Sequence, residues 1–219
     1  MADIFDEVNE DLRAERAQAL LKRYGGVLLA AMLLVVAGAA AWQGWRWWRD
    51  KQEMALAGEF VAAMNRADGR NTAKPEAIAA FDQLAAKSPD GYATLARLRA
   101  AALKADAGDL AGAVALWDQV AADGSADPLL RDLASLTSVQ HQVPTADPGT
   151  LGARLAPLAS PDNPWHALAM EQQALLSIRM GRTAEATDTL RRIVADGTAP
   201  QGVRARANGL LERLGGSAA

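Results

Sequence analysis

The 219-residue chain contains no cysteine and only two histidines, His141 and His166. Without thiols there is no thiol nucleophile, no iron–sulfur ligation and no cysteine-bound zinc. The same absence permits an oxidising compartment without demanding one. Neither histidine sits at a spacing suited to a metal site, and His166, which follows Trp165 at the start of a predicted helix, reads as a helix-terminal, half-exposed side chain. A phosphate-cradling glycine loop and a G-x-S-x-G elbow are both missing. Asp82, Asp118 and Asp123 read as solvated helix faces or turn formers rather than as a paired acid and base. No enzyme, cofactor, metal or small-molecule substrate is expected. Basic excess is lacking too: beyond residue 52 there are 16 basic and 19 acidic residues, with no stripe that would neutralise phosphates. Nucleic acid is therefore not an expected partner. Aromatic residues make up only 5% of the chain, yet four of the six tryptophans fall within residues 42–48.

That clustering marks the end of an uncharged, largely apolar run, residues 24–45, of 22 residues. At about 1.5 Å rise per residue such a helix spans about 33 Å, enough to cross the hydrocarbon core of a bilayer once. Val27, Leu28, Leu29, Met32, Leu33, Leu34, Val35 and Val36 are compatible with lipid. Trp42, Trp45, Arg46, Trp47, Trp48 and Arg49 form an aromatic and cationic belt of the kind that sits at headgroup depth. A buried core helix rarely needs so long a stretch without charge. A cleaved signal peptide is the other reading, with Lys22-Arg23 as its basic region and Ala37, Ala39 and Ala41 as small residues near a cut. Against it, six acidic residues precede the run, and the apolar stretch is too long and ends in bulky tryptophan. The expectation is a membrane anchor over residues 24–48.

Arg13, Arg16, Lys22 and Arg23 precede the span, and Arg46, Arg49 and Lys51 follow it. This bias is one charge wide, but long domains translocate largely regardless of charge. Residues 1–23 are thus expected in the cytoplasm and residues 49–219 outside. Within the arm, Ile4, Phe5, Val8 and Leu12 recur at helical spacing, as in an amphipathic helix near the headgroups or a docking helix for a partner. Along the span, Gly26, Ala30, Leu33, Ala37, Ala40 and Gly44 form a stripe of mostly small residues that lets a second helix approach closely. Alanine-rich chains also generate such stripes by chance.

Beyond residue 52 nothing reads as strand. Apolar residues at three and four spacing are interrupted by Gly, Pro, Asp and Asn clusters, as in short antiparallel helices. The segment is also self-similar. Phe81-Asp82-Gln83-Leu84-Ala85-Ala86 recurs as Trp117-Asp118-Gln119-Val120-Ala121-Ala122, an offset of 36, and residues 92–124 align with 165–197 at 73, about twice that period. Leu95 pairs with Leu168, Leu103 with Leu176, Gly108 with Gly181 and Val120 with Ile193. Two helices per unit of this length are the signature of a tetratricopeptide-type solenoid. Gly108 and Gly181 are placed to end first helices in a left-handed conformation. Each second helix then carries a small residue and, four later, a large one: Ala77 and Phe81, Ala113 and Trp117, Ala186 and Leu190. The small residue admits the paired helix, and the large one fills the groove against the next unit. Trp117 and Trp165 accordingly read as packing residues rather than base-stacking platforms. The predicted fold is all-α, with helix pairs near 53–89, 90–126, 127–162 and 163–198 and a capping helix 201–214 exposing Arg204, Arg206, Glu212 and Arg213. The third pair is the weakest, because Pro144, Pro148, Pro157 and Pro161 shorten its helices. Residues 215–219 are expected to fray. A solenoid of this type offers partners an extended concave surface.

A single span, the exit motif Gly44-Trp45-Arg46-Trp47-Trp48 and a degenerate helical-repeat domain together resemble one bacterial family. The chain looks like the ancillary subunits of the Sec translocon, single-pass inner-membrane proteins with a periplasmic tetratricopeptide-like domain. The resemblance implies association with the translocon channel and with membrane-anchored periplasmic chaperones of the prolyl-isomerase type, helping newly translocated proteins. It carries over no catalytic residues. The alternatives are a coordinator of cell-envelope or cell-division machinery using the same groove, and an assembly subunit that oligomerises through the stripe around Ala37.

Overall fold

A computed structural model of the chain describes residues 3–68 and 74–215. Among these residues the regular structure is helical throughout. The elements are α1 (Asp3–Asp68), α2 (Lys74–Lys87), α3 (Asp90–Asp106), α4 (Leu110–Ala122), α5 (Pro128–Gln142), α6 (Pro148–Leu155), α7 (His166–Arg179), α8 (Thr183–Ala195) and α9 (Gln201–Arg213). The chain divides into two units, Met1–Ala55 and Leu56–Ala219. Residues 216–219, most of the tail expected to fray, lie outside the described residues.

The first unit is helical because nothing in it interrupts a helix. It holds no proline, and its few glycines lie among strong helix formers. Residues 3–23, within the arm expected over 1–23, are helical and run on into the apolar stretch in α1. From Leu29 onward α1 is long and apolar enough to cross a membrane.

In the second unit the sequence supplies its own punctuation. Gly108 and Gly181 adopt φ of +87° and +73°. At both, the next N–H reaches back to the carbonyl five residues earlier, Asp109 to Lys104 at 2.9 Å and Arg182 to Ser177 at 2.8 Å. This closes the last carbonyls of α3 and α7 and turns the chain sharply into α4 and α8. Other helices start on an aspartate: the Asp109 carboxylate accepts from Gly112 N–H (2.9 Å), Asp127 from Leu129 (2.8 Å) and Asp147 from Thr150 (2.7 Å). Pro128 and Pro148 stand just inside α5 and α6, where the missing N–H costs nothing.

The hydrophobic core is a row of four clusters, each built around a second helix. Phe81 and Leu84 of α2 pack with Ala63 of α1 and with Ala96, Ala100 and Leu103 of α3. Ala113, Trp117 and Val120 of α4 pack with Ala101 of α3 and Ala134 of α5. Leu151 and Leu155 of α6 meet Leu136 and Val139 of α5, and Ala169 and Leu176 of α7. Leu190 and Ile193 of α8 lie among Ala167, Met170 and Ala174 of α7 and Val203, Ala207 and Leu211 of α9. Every second helix is thus held between its own first helix and the next one, the nearest-neighbour arrangement of a solenoid. Burying Phe81, Trp117 or Leu190 contributes about 1.5–3 kcal/mol each.

The third hairpin departs from the pattern. α6 has only eight residues, and its buried pair four apart is Leu151 and Leu155, with no small residue. Polar bonds fasten it instead. Arg154 of α6 donates to the Asp118 carboxylate of α4 at 2.7 Å. The Ser138 hydroxyl of α5 donates to the same oxygen at 2.7 Å. Arg179 of α7 donates to the Val143 and Ala146 carbonyls at 2.7 and 2.6 Å, closing the C-terminal end of α5. Asp118 is therefore a tie between three helices, which corrects its reading as part of a solvated face.

Candidate functional site

The side chains singled out from the sequence fall into three places. Ala77, Phe81, Ala113, Trp117, Ala186 and Leu190 are all buried in the second-helix clusters, none more than 2% exposed. Phe60 meets Phe81 edge-on at 5.4 Å between ring centroids, and His141 stacks on Trp117 at 4.7 Å. These residues hold the hairpins together and leave no aromatic face for a ligand. Trp165 is partly buried against the α5–α6–α7 cluster, with its indole N–H donating to the Leu129 carbonyl at 3.1 Å. His166 Nδ1 lies 2.7 Å from the Ala159 carbonyl and donates to it. Among the described residues no group of three His, Asp or Glu side chains is arranged to hold a metal ion.

On α1 the picture is the reverse. Trp42, Trp45, Trp47 and Trp48 are each at least half exposed. Trp45 and Trp48 touch at 5.9 Å, the Lys51 ammonium lies 5.3 Å over the Trp47 ring, and Arg49 pairs with Glu53 at 3.8 Å. Arg46 is exposed alongside them, as are Gly26, Ala30, Ala37, Ala40 and Gly44 further back. Within the first unit nothing covers this stretch among the described residues. A helix with Leu33, Leu34, Val35 and Val36 all more than half exposed presents apolar surface on every side, and a surface of that size asks for lipid or another helix.

The third place was not legible in the sequence. Between α5, α7 and α9 lies a groove of about 540 Å³ walled by Val143, Pro144, Leu168 and Leu175, with Gln140 and Gln172 among them. It shares Glu171, Leu175 and Arg206 with a hollow of about 380 Å³ that reaches Gly209, Leu210 and Arg213 of α9. Glu171 is 4% exposed, and Arg206 donates to both its oxygens, from Nε and Nη2, at 2.6 Å each. Those hydrogen bonds hold the Arg206 guanidinium above its ordinary pKa against the opposing pull of burial, and the charge of Glu171 adds to the rise. The sequence reading placed Arg206 simply on an exposed face. The signal available was the pair Glu171-Gln172 in the middle of an apolar helix, and the separation of 35 from Glu171 to Arg206, one repeat period.

This arrangement can do one kind of chemistry. It has apolar walls, side-chain amides and a fixed ion pair, with no activated nucleophile and no acid–base couple. It suits binding of polypeptide. Residues 18–207 match the family described as tetratricopeptide repeat-like domain. The chain belongs to the tetratricopeptide repeat-like family. Stacked helix pairs of this kind build extended concave surfaces. The family member described here is also similar to the ancillary SecYEG translocon subunit of Escherichia coli (strain K12), with 29% identity over 140 residues, or 64% of this chain. That alignment spans 66% of the relative's length, just under two thirds. The family resemblance read from the exit motif and the repeats is thus matched by similarity along the sequence. No solved structure matches the chain significantly.

Proposed function

We propose that this protein is a membrane-anchored, non-catalytic scaffold of the Sec translocon, which engages protein partners through its helical-repeat domain. The observation that carries the reading is the 29% identity over 140 residues to the ancillary SecYEG translocon subunit of Escherichia coli (strain K12). An apolar helix and a repeat domain without catalytic chemistry support it in kind. The anchor is residues 24–48, with Trp42, Trp45, Trp47 and Trp48 at the interface and Arg46 and Arg49 among headgroups. The N-terminal arm is cytoplasmic and residues 49–219 are periplasmic, in the inner membrane of a bacterium. The stripe containing Gly26, Ala30, Ala37, Ala40 and Gly44 is the surface for lateral contact with another helix. In this reading the periplasmic domain stands beside the channel exit and brings a membrane-anchored chaperone to newly translocated chains. Confinement to the membrane raises the effective concentration of the groove, so modest intrinsic affinity suffices.

The test is photo-crosslinking in cells, with probes on exposed positions of α7 and α9 and mass spectrometry of the products. Channel subunits and periplasmic folding factors are the expected partners. Products containing only division proteins, or only a second copy of this chain, would reject the translocon reading.

A further inference from the structure

Four side chains at the end of the apolar stretch share one face of α1. Trp42, Trp45, Arg46 and Arg49 are three, four or seven residues apart, the spacings that stack helical side chains one above another. All four are exposed. Toward the middle of the span the same side continues through Val35, seven residues before Trp42, and Leu34, eleven before Trp45, both exposed. The small-residue stripe looks the other way. Ala40 and Gly44 each stand two residues from Trp42, about 200° round the helix. A helix seated on the small side therefore leaves the tryptophan side to lipid.

Charge is unevenly placed along that side. Arg46 is the first charged residue after the uncharged run 24–45, and within the first unit it pairs with no carboxylate among the described residues. Arg49 reaches Glu53 only at 3.8 Å, with both side chains over half exposed, and such a pair yields readily to a stronger acceptor. Asp50 and Glu53 stand about 6 and 10 Å further along the axis than Arg46, on its water side. Where the hydrocarbon ends, the face thus presents two guanidinium groups beside two indole N–H donors, and the acceptor found at that depth is a lipid phosphate. Guanidinium donates paired hydrogen bonds to phosphate. A zwitterionic lipid brings its own ammonium to that phosphate, whereas an acidic lipid leaves a negative charge to be met.

We propose that the Trp42–Trp45–Arg46–Arg49 face of α1 binds the headgroup of an acidic phospholipid, with both guanidinium groups on its phosphate and the indole rings against its glycerol region. The opposite, small-residue side stays open to a neighbouring helix. This goes beyond the scaffold reading and rests on it for the anchor alone.

The experiment reconstitutes the full chain in phosphatidylcholine vesicles and reads quenching of tryptophan fluorescence by brominated lipids. Four of the six tryptophans fall within residues 42–48, so the signal reports on lipid beside this stretch. Brominated phosphatidylglycerol is expected to compete about fivefold better than brominated phosphatidylcholine. In the double variant Arg46→Gln/Arg49→Gln the two lipids become equivalent, while quenching by phosphatidylcholine is unchanged and shows the span still inserted. Lys51 stands nine residues from Trp42, on the other side, with its ammonium over the Trp47 ring. Lys51→Gln is expected to lower the preference less than about twofold. Equal quenching by both lipids in the unsubstituted protein overturns the proposal, as does a preference that survives the double variant. An equal loss in Lys51→Gln overturns it too, because the preference then comes from diffuse charge and not from one face. Quenching by phosphatidylcholine with no preference rejects the acidic-lipid site and keeps the anchor; quenching by neither lipid rejects the anchor as well.

Discussion

The apolar stretch of α1 and the second helices of the hairpins are built from the same residue types, and they put them to opposite use. Leu33, Leu34 and Val35 are 62%, 74% and 71% exposed, whereas Phe81, Leu155 and Leu190 are fully buried. The difference lies in arrangement. In α2, α4 and α8 the apolar residues occupy one stripe, opposite polar side chains such as Asp82, Gln119 and Arg191, so each helix has one face that must be covered and one that must not. Residues 24–45 have no polar face to leave in water. Apolar content alone therefore says little about where a helix ends up; the distribution of polar residues around it decides which medium it tolerates.

The comparison breaks most readily in the cores. Trp117→Ala is expected to lower stability by about 3–5 kcal/mol, because a large cavity opens between α3, α4 and α5. Phe81→Ala should do similar damage one cluster earlier, and thermal melting followed by far-ultraviolet circular dichroism measures both. Membrane extraction should be unchanged, since neither variant touches the α1 stretch. Conversely, Leu34→Arg places a charge mid-span and is expected to cost about 2.5–3.5 kcal/mol of insertion. Alkaline extraction of membranes reads this as a shift toward the soluble fraction, with the repeat domain still helical; full retention would count against the anchor.

Smaller effects sharpen the picture within the repeats. Arg206→Met leaves the buried Glu171 carboxylate without its donors, and since Arg206 is itself over half exposed we expect a loss of only about 1–2 kcal/mol. Glu171→Gln, which keeps a neutral acceptor for Arg206, should cost less, and a larger loss in Glu171→Gln would argue that the charge itself holds α7 to α9. The smallest effect is on acid stability. The Ser125 hydroxyl and N–H hold the Asp123 carboxyl below its ordinary value of 3.8, the Thr150 N–H and hydroxyl do so for Asp147, and the Thr198 hydroxyl and N–H for Asp196. A carboxylate favoured in the folded state adds stability that is fully present above about pH 3.8 and is lost as the pH falls through the lower folded value. Replacing all three with asparagine should therefore flatten the fall in melting temperature below about pH 4 and leave its slope at neutral pH unchanged.

The all-α fold and the repeat signature were legible because they rest on local rules. Gly108 and Gly181 mark turns since only glycine enters the left-handed region freely, and Ala113 and Trp117 face the same way because they are four apart. The short α6 followed from Pro148 and Pro157. What escaped the sequence were contacts between hairpins. Asp118 looked like surface until α5 and α6 brought Ser138 and Arg154 onto it. Glu171 and Gln172 gave no sign of a groove within their own helix, and only the packing of α5, α7 and α9 brings them to one.

By itself, then, the sequence determined which residues are helical, where the turns fall, which faces are apolar, and that one long stretch has no polar face. Those properties depend on residues within a few positions of one another. Tertiary structure alone decided that Glu171 is buried under Arg206, that Gln172 lines the groove between α5, α7 and α9, and that Asp118 ties three helices. These contacts join residues about 20 to 36 positions apart. Whether such side chains meet depends on how neighbouring hairpins dock, and docking is set by the summed packing of the clusters between them.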